Sequence, residues 1–285
     1  MNADGQTTPR GMAFGGRIIL HPSSIAIYRS SIILLFFINI HQMASMISLI
    51  GAPGSGKGTY GALLASRLLN TAFISVGDIL REESVSRSEL AKVLNSGALV
   101  DDTLVNDAVL RCLEERTKEY RIDDASNKRY HVILDGYPRT DRQASLLDKW
   151  PIDLCPKFAL QLDVPERICI TKILGRRKCN LCKKSLNVNG VLDEFGFDMP
   201  PMLPDDNALE CRTMNCNPDV DWKKRNDDTT DTIQYRMDVY RRQTEPVLQY
   251  WEEKGKLLRF IPFKGVQEID NIVSLIETRI RRYTT

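Results

Sequence analysis

The stretch Gly51-Ala-Pro-Gly-Ser-Gly-Lys-Gly-Thr59 is built to hold an anion. It fits G-x-x-x-x-G-K, continues through Gly58 to Thr59, and follows the apolar run Ile47–Ile50 directly. Gly54, Gly56 and Gly58 let backbone N–H groups curl around phosphate oxygens. A helix opening there would aim its positive end at the same oxygens. Lys57 can then reach the β- and γ-phosphates of a nucleotide. With Ser55 and Thr59 in the loop, a hydroxyl near its end can approach Mg2+. An ordinary glycine-rich turn would not explain a lysine in that slot between a strand and a helix.

A second chemical cluster is Cys179, Cys182, Cys211 and Cys216, gathered in one polar stretch. The two-residue spacing of Cys179-Asn-Leu-Cys182 lets both thiolates meet one ion in a knuckle turn. Cys211 and Cys216 have four residues between them, and the 28 residues Lys183 to Glu210 separate the two pairs. One structural Zn2+, free thiols on a hydrogen-bonded hairpin, and a disulfide all remain open. A closed four-thiolate site would leave no position for substrate. Cys112, Cys155 and Cys169 sit singly in apolar runs and read as core.

Further motifs follow in order: Ile74-Ser-Val-Gly-Asp-Ile-Leu-Arg81, Gly97-Ala-Leu-Val-Asp-Asp102, Leu134-Asp-Gly-Tyr-Pro-Arg-Thr140 with Gln143, Asp163-Val-Pro, Gly175-Arg176-Arg177, and Arg225-Asn-Asp-Asp228 with Arg236. Together with the phosphate loop, this series resembles the adenylate kinases from about Met46 to Thr285. The resemblance implies transfer of a phosphoryl group from Mg-ATP to AMP, giving two ADP. It implies that Arg81 and Arg139 clamp the AMP phosphate, and that Lys57, Arg176, Arg225 and Arg236 close on the ATP phosphates and the transferring group. Val76, Val100, Gly136 and Gln143 would lie along AMP, and Lys172 against the donor base. Such a reaction needs positioned cations more than covalent chemistry, and the Arg fork matches phosphoryl oxygens. Asp135, at a strand end, could order a water on Mg2+.

Two positions depart from the family pattern. Val76 stands where a Thr is usual, and Lys172 where an Arg is usual. Lysine keeps the charge but loses the planar stacking surface. A GTP:AMP phosphotransferase, or another nucleoside monophosphate kinase of the same fold, is therefore the alternative. A UMP/CMP kinase fits less well, since that family has a short lid and lacks a Gln at the position of Gln143. The spacer between the cysteine pairs is also longer than in zinc-bearing adenylate kinases.

The elements that must position these residues alternate. Expected strands are Ile47–Ile50, Ala72–Ser75, His131–Asp135, Phe158–Val164 and Leu257–Ile261. Helical patterns begin at Thr103, Pro165, Thr232 and Val266. This order predicts a P-loop type three-layer α/β/α fold with a five-stranded parallel sheet and a ligand site at the carboxyl ends of its strands. The expected core is 46–74, 105–176 and 227–285. A flap over the monophosphate (75–104) and a lid (177–226) would exclude water from the reaction. The lid segment has turn chemistry and no sustained period.

The chain has 285 residues, 42% hydrophobic, with a formal net charge of +2, so no bulk charge marks a nucleic-acid binder. A zinc-containing nucleic-acid-binding P-loop protein is the remote alternative. It would need a basic strip around the cysteines, but 193–221 carries Asp193, Glu194, Asp198, Asp205, Asp206, Glu210, Asp219 and Asp221. The expected partners are ATP and AMP, with no nucleic acid, no stable membrane span and a monomeric enzyme. Residues 1–45 hold Arg10, Arg17 and Arg29 against Asp4, with an apolar run Ile32–Ile38 too short to span a bilayer. They read as an organelle-targeting segment, a disordered tail or a start codon placed too early. A cytoplasmic or mitochondrial location is expected, with organelle targeting left open.

Overall fold

The computed structural model describes residues 43–123, 130–152, 154–182, 185–203, 216–217 and 221–284. The N-terminal extension up to residue 42 and Cys211 lie outside them. In chain order the strands are β1 (Met43–Ile50), β2 (Thr71–Ser75), β3 (Tyr130–Asp135), β4 (Phe158–Leu162), β5 (Arg176–Cys179), β6 (Ser185–Asn187), β7 (Val191–Leu192), β8 (Asp198–Met199), β9 (Trp222–Lys223) and β10 (Leu257–Phe260).

The central sheet is all parallel, in the order β10-β4-β1-β3-β2. Ile47 stands opposite both Ile133 and Phe158. One face of β1 places Ile47 and Leu49 in a core with Leu64, Ile133, Phe158, Leu160, Ile272 and Ile276. Its other face buries Met46, Ser48 and Ile50, and every residue of β4 is buried. Burial on both faces is why these strands read as continuous apolar runs rather than alternating ones. Successive strands in this order need helical crossovers, and the helices Lys57–Arg67 and Ile269–Thr284 supply Leu64, Ile272 and Ile276 to that core. The all-parallel α/β expectation therefore holds.

The crossover from β1 leads to one edge and that into β4 to the other side of β1, so a crevice opens where the two diverge. The loop after β1, the segment Gly136–Arg139 after β3, and Asp163–Val164 after β4 all meet there. Two short helices, Val76–Ser84 and Ser88–Ser96, occupy the segment expected to form the flap. The Ser75 hydroxyl caps the first by accepting from the Asp78 N–H at 3.3 Å. Gly97, at φ 81°, ends the second in the left-handed conformation.

The lid is two small antiparallel sheets, β6-β5-β9 and the hairpin β7-β8. Strands of two to four residues explain why the sequence has no sustained period there. The helix Thr230–Val239 passes into a π-helical turn, Tyr240–Thr244. No helix among the described residues is long and apolar enough to cross a membrane.

Several strand ends differ by one or two residues from expectation, as where β4 stops at Leu162 rather than Val164, and the start of β1 differs most. β1 begins at Met43, because Met43–Met46 pair with Tyr130–Val132. The Ser45 hydroxyl also lies 2.6 Å from His131 Nδ1. A chain starting at Met46 loses that pairing, and at about 1 kcal/mol per lost hydrogen bond it should melt several degrees below one starting at Met43. Equal melting temperatures would show that the first three residues of the strand contribute nothing.

Candidate active site

The phosphate loop is set by close contacts. A Cβ on Gly54, at φ 86°, would sit 2.3 Å from the Cys169 carbonyl oxygen. Gly56, at φ 93°, ends the loop, and the helix Lys57–Arg67 starts at once. Lys57 Nζ donates to the carbonyls of Gly51 at 2.7 Å and Ala52 at 2.9 Å. Burial lowers its pKa to about 8; Asp135 opposes the shift and Arg139 adds to it. The Ser55 hydroxyl and Asp135 Oδ1 are buried with no hydrogen-bond partner among the described residues.

Around this loop lies a cavity of about 530 Å³. Gly54, Ser55, Gly56, Lys57, Gly58 and Thr59 line one side. Val76, Arg81 and Val100 from the flap, Gly136, Arg139 and Gln143 after β3, and Lys172, Arg176, Arg225 and Arg236 complete it. The structure thus brings every expected nucleotide-site residue to one cavity. Lys172 does so in an unexpected role. Its amine is tied to the lid, donating to the Asn189 carbonyl at 3.3 Å, and burial lowers its pKa.

The cations are held apart by carboxylates. Arg81 Nη2 pairs with Asp78 at 2.6 Å. Arg176 makes a two-pronged contact with the buried Asp228, Nε donating at 2.9 Å. Arg236 donates to Asp227 at 2.7 Å and stands 4.0 Å from Asp228. Arg139 Nε donates to the Gly136 carbonyl at 2.9 Å. Gly136 is at φ 79°, in the left-handed region that favours glycine, and a Cβ there would also lie 2.5 Å from Arg139 Nη2. Burial lowers the pKa of both Arg139 and Arg236. Arg225 is lowered to about 10, by burial first and then by repulsion from Arg176 and Arg81. Asp135 goes the other way: burial raises it although Lys57 and Arg139 pull it down. The arrangement is an electropositive chamber designed for a polyanion.

Gln143 is buried, and its amide has a fixed sense. Nε2 donates to Asp102 Oδ1 at 2.8 Å, and Oε1 accepts from the Arg139 N–H at 2.7 Å. Asp102 Oδ1 also accepts from the Thr140 hydroxyl at 2.9 Å. A carboxylate only accepts and an N–H only donates, so the amide cannot flip. One N–H and one lone pair remain for a ligand.

In the lid, the sulfurs of Cys179, Cys182 and Cys216 lie within 4.8 Å of one another. None of the described cysteines is in a disulfide.

The family model for adenylate kinase matches residues 49–256. This chain belongs to the adenylate kinase family. It is 36% identical over 237 residues to a GTP:AMP phosphotransferase of Plasmodium falciparum (isolate 3D7), covering 81% of this chain and 95% of that protein. It is 35% identical to adenylate kinase 1, chloroplastic, of Arabidopsis thaliana, covering 77% and 72%. It is 33% identical to an adenylate kinase of Syntrophomonas wolfei, covering 78% and 94%. The chain is accordingly an enzyme, a phosphotransferase that acts on nucleotides.

Sequence reasoning did not single out Asp78, Asp102, Asp227 or Asp228 as partners of the site. The acidic pair beside Arg225 was the available signal, because arginines crowded in one cavity need counter-charges. Asn187, Asn189, Met199 and Pro200 were also missed; they come from the lid segment that carries no periodic signal.

Lys57 carries charge below pH about 8 and loses it above. The kcat/KM for the donor nucleotide should therefore fall as pH rises through that value, since this ratio reports the free enzyme. A bound polyphosphate favours the charged amine, so kcat should hold to higher pH. A donor kcat/KM that is flat to pH about 10 would show that the Lys57 charge plays no part in donor capture.

Proposed function

We propose that this enzyme reversibly transfers the terminal phosphoryl group of a Mg2+-bound purine nucleoside triphosphate to AMP, with ATP as donor. The observation that carries this reading is the convergence of Lys57, Arg139, Arg176, Arg225 and Arg236 on one cavity. Lys57 and the loop amides bind the donor phosphates. Arg81 and Arg139 orient the acceptor phosphate, and Arg176, Arg225 and Arg236 face the charge that spreads over the transferring group. The lock on Gln143 leaves a donor and an acceptor for the edge of adenine, while Val76 and Val100 offer it apolar surface. The flap and lid exclude water, which would otherwise compete as acceptor.

Mg2+ fits the residues present: Asp135 Oδ1 and the Ser55 hydroxyl are buried without partners among the described residues, and both are hard oxygen ligands suited to a hydrated ion. When bound, the ion neutralises polyphosphate charge. Asp135 would hold its waters and keep the ion beside the phosphate loop.

GTP as donor is the second reading. Lys172 is engaged with Asn189 and supplies no planar surface against a donor base. The test is a coupled assay of every nucleoside mono- and triphosphate pair. AMP should be the fastest acceptor and Mg2+ should be required. Faster turnover of UMP or CMP would overturn the acceptor, and GTP faster than ATP would assign the second reading. Arg139→Ala should lower kcat roughly 100-fold.

We also propose that Cys179, Cys182, Cys211 and Cys216 hold one structural Zn2+ in the lid. Thiolates at about 2.3 Å from one ion stand roughly 3.8 Å apart, and the three described sulfurs are gathered to within 4.8 Å. Metal analysis should find about one equivalent of zinc, lost in Cys179→Ser. A chelator should lower the melting temperature while leaving the KM for AMP unchanged. Protein purified without chelator that contains no zinc would exclude the site.

A further inference from the structure

The β7-β8 hairpin lies within the long spacer between the two cysteine pairs, and its residues pack on the core. Asp193 Oδ2 accepts from Arg167 Nη1 at 2.6 Å, on the helix Glu166–Gly175. The Arg167 guanidinium also lies 4.7 Å from the centre of the Phe195 ring. Phe197 is buried and packs against Phe263, the rings tilted by 37° with 4.9 Å between their centres. The Asp198 N–H donates to the Phe263 carbonyl at 2.8 Å. Phe197 and Met199 join a cluster of buried side chains with Val164, Ile168, Ile173 and Ile233. The hairpin's base is fastened as well: Asn187 Nδ2 donates to the Lys172 carbonyl at 2.7 Å and Asn189 Nδ2 to the Thr171 carbonyl at 3.1 Å.

The consequence lies in the cavity. Met199 and Pro200, at the hairpin's end, line it together with Lys172, Pro262, Gly265 and Val266. Met199 lies beside Gly265, where a Cβ would be in van der Waals contact with its side chain at 3.4 Å. Lys172, tied to Asn189 of the adjoining segment, offers no flat surface to a base.

We infer that the β7-β8 hairpin is a fixed wall of the donor-base compartment: Met199 and Pro200 contact the donor base in place of a stacking arginine, and Arg167, Asp193, Phe197 and Phe263 are positioning residues that hold them there. Lys172 then serves as a peg for this wall through Asn189. An apolar wall meets the face of a purine and not its edge substituents, so it accepts adenine and guanine alike.

The inference rests on the donor-site reading above, and the experiment separates the two. Transfer to AMP by the wild-type enzyme reports on that reading, while steady-state constants of hairpin variants report on the wall. Met199→Ala should raise the KM for ATP and for GTP by a common factor of roughly 10, with the KM for AMP unmoved. Phe197→Ala and Arg167→Ala should shift the donor KM in the same direction, and Phe197→Leu should recover most of it. Leu192→Ala, on an exposed side chain of the same hairpin, should be silent. If Phe197→Ala does not fold, Met199→Ala and Arg167→Ala still decide. A donor KM within twofold of wild type in these variants would overturn the inference while transfer persists. A parallel rise in the KM for AMP would do so too, because it would mark a general loss of structure.

Discussion

Like charges confined to one cavity are the constraint on which the rest of this structure depends. Lys57, Arg81, Arg139, Arg176, Arg225 and Arg236 surround a space of about 530 Å³. Burial and mutual repulsion lower the pKa of Lys57 to about 8 and of Arg225 to about 10. Such a set is tolerable only with fixed counter-charges, and Asp78, Asp135, Asp227 and Asp228 provide them. The remaining imbalance is relieved by a bound polyanion, so the energy of nucleotide binding is linked to holding the cations in place. Asp228, buried, is paired with Arg176 and stands 4.0 Å from Arg236, which is itself hydrogen-bonded to Asp227. The adjacent carboxylates Asp227 and Asp228 thus fix one arginine each.

The parallel sheet makes this crowding mechanically possible. Loops after β1, β3 and β4 open at the same end, and each brings a different part of the machinery. The flap contributes its share through two short helices. Asp102, at the start of the next helix, locks the Gln143 amide from behind, so the sense of a side chain that lines the cavity depends on one that does not.

The lid is two devices in one segment. Its β6-β5-β9 half gathers the cysteines, where large apolar residues are few and a metal could do the work of a core. Its hairpin half instead borrows the core of the main domain, burying Phe197 and Met199 against the helix Glu166–Gly175. A segment with few apolar residues can be ordered in either way, and this one combines both.

Much was legible in the sequence because the signals are local. The phosphate loop needs only the glycines and Lys57 at fixed spacing, since backbone N–H groups make the site. The strands announced themselves as apolar runs, because burial on both faces of a parallel sheet removes any need for alternation. Other features are decided only by residues far apart in the chain. The start of β1 at Met43 depends on Tyr130–Val132, and the sense of the Gln143 amide on Asp102. The role of Lys172 depends on Asn189, and the docking of the hairpin on Arg167 and Phe263. In sequence these are a charge, an amide, a lysine and a turn-rich stretch. Their meaning comes from which partner the tertiary fold sets within about 3 Å, because a hydrogen bond or a stacked ring acts only at contact and leaves no period in the chain.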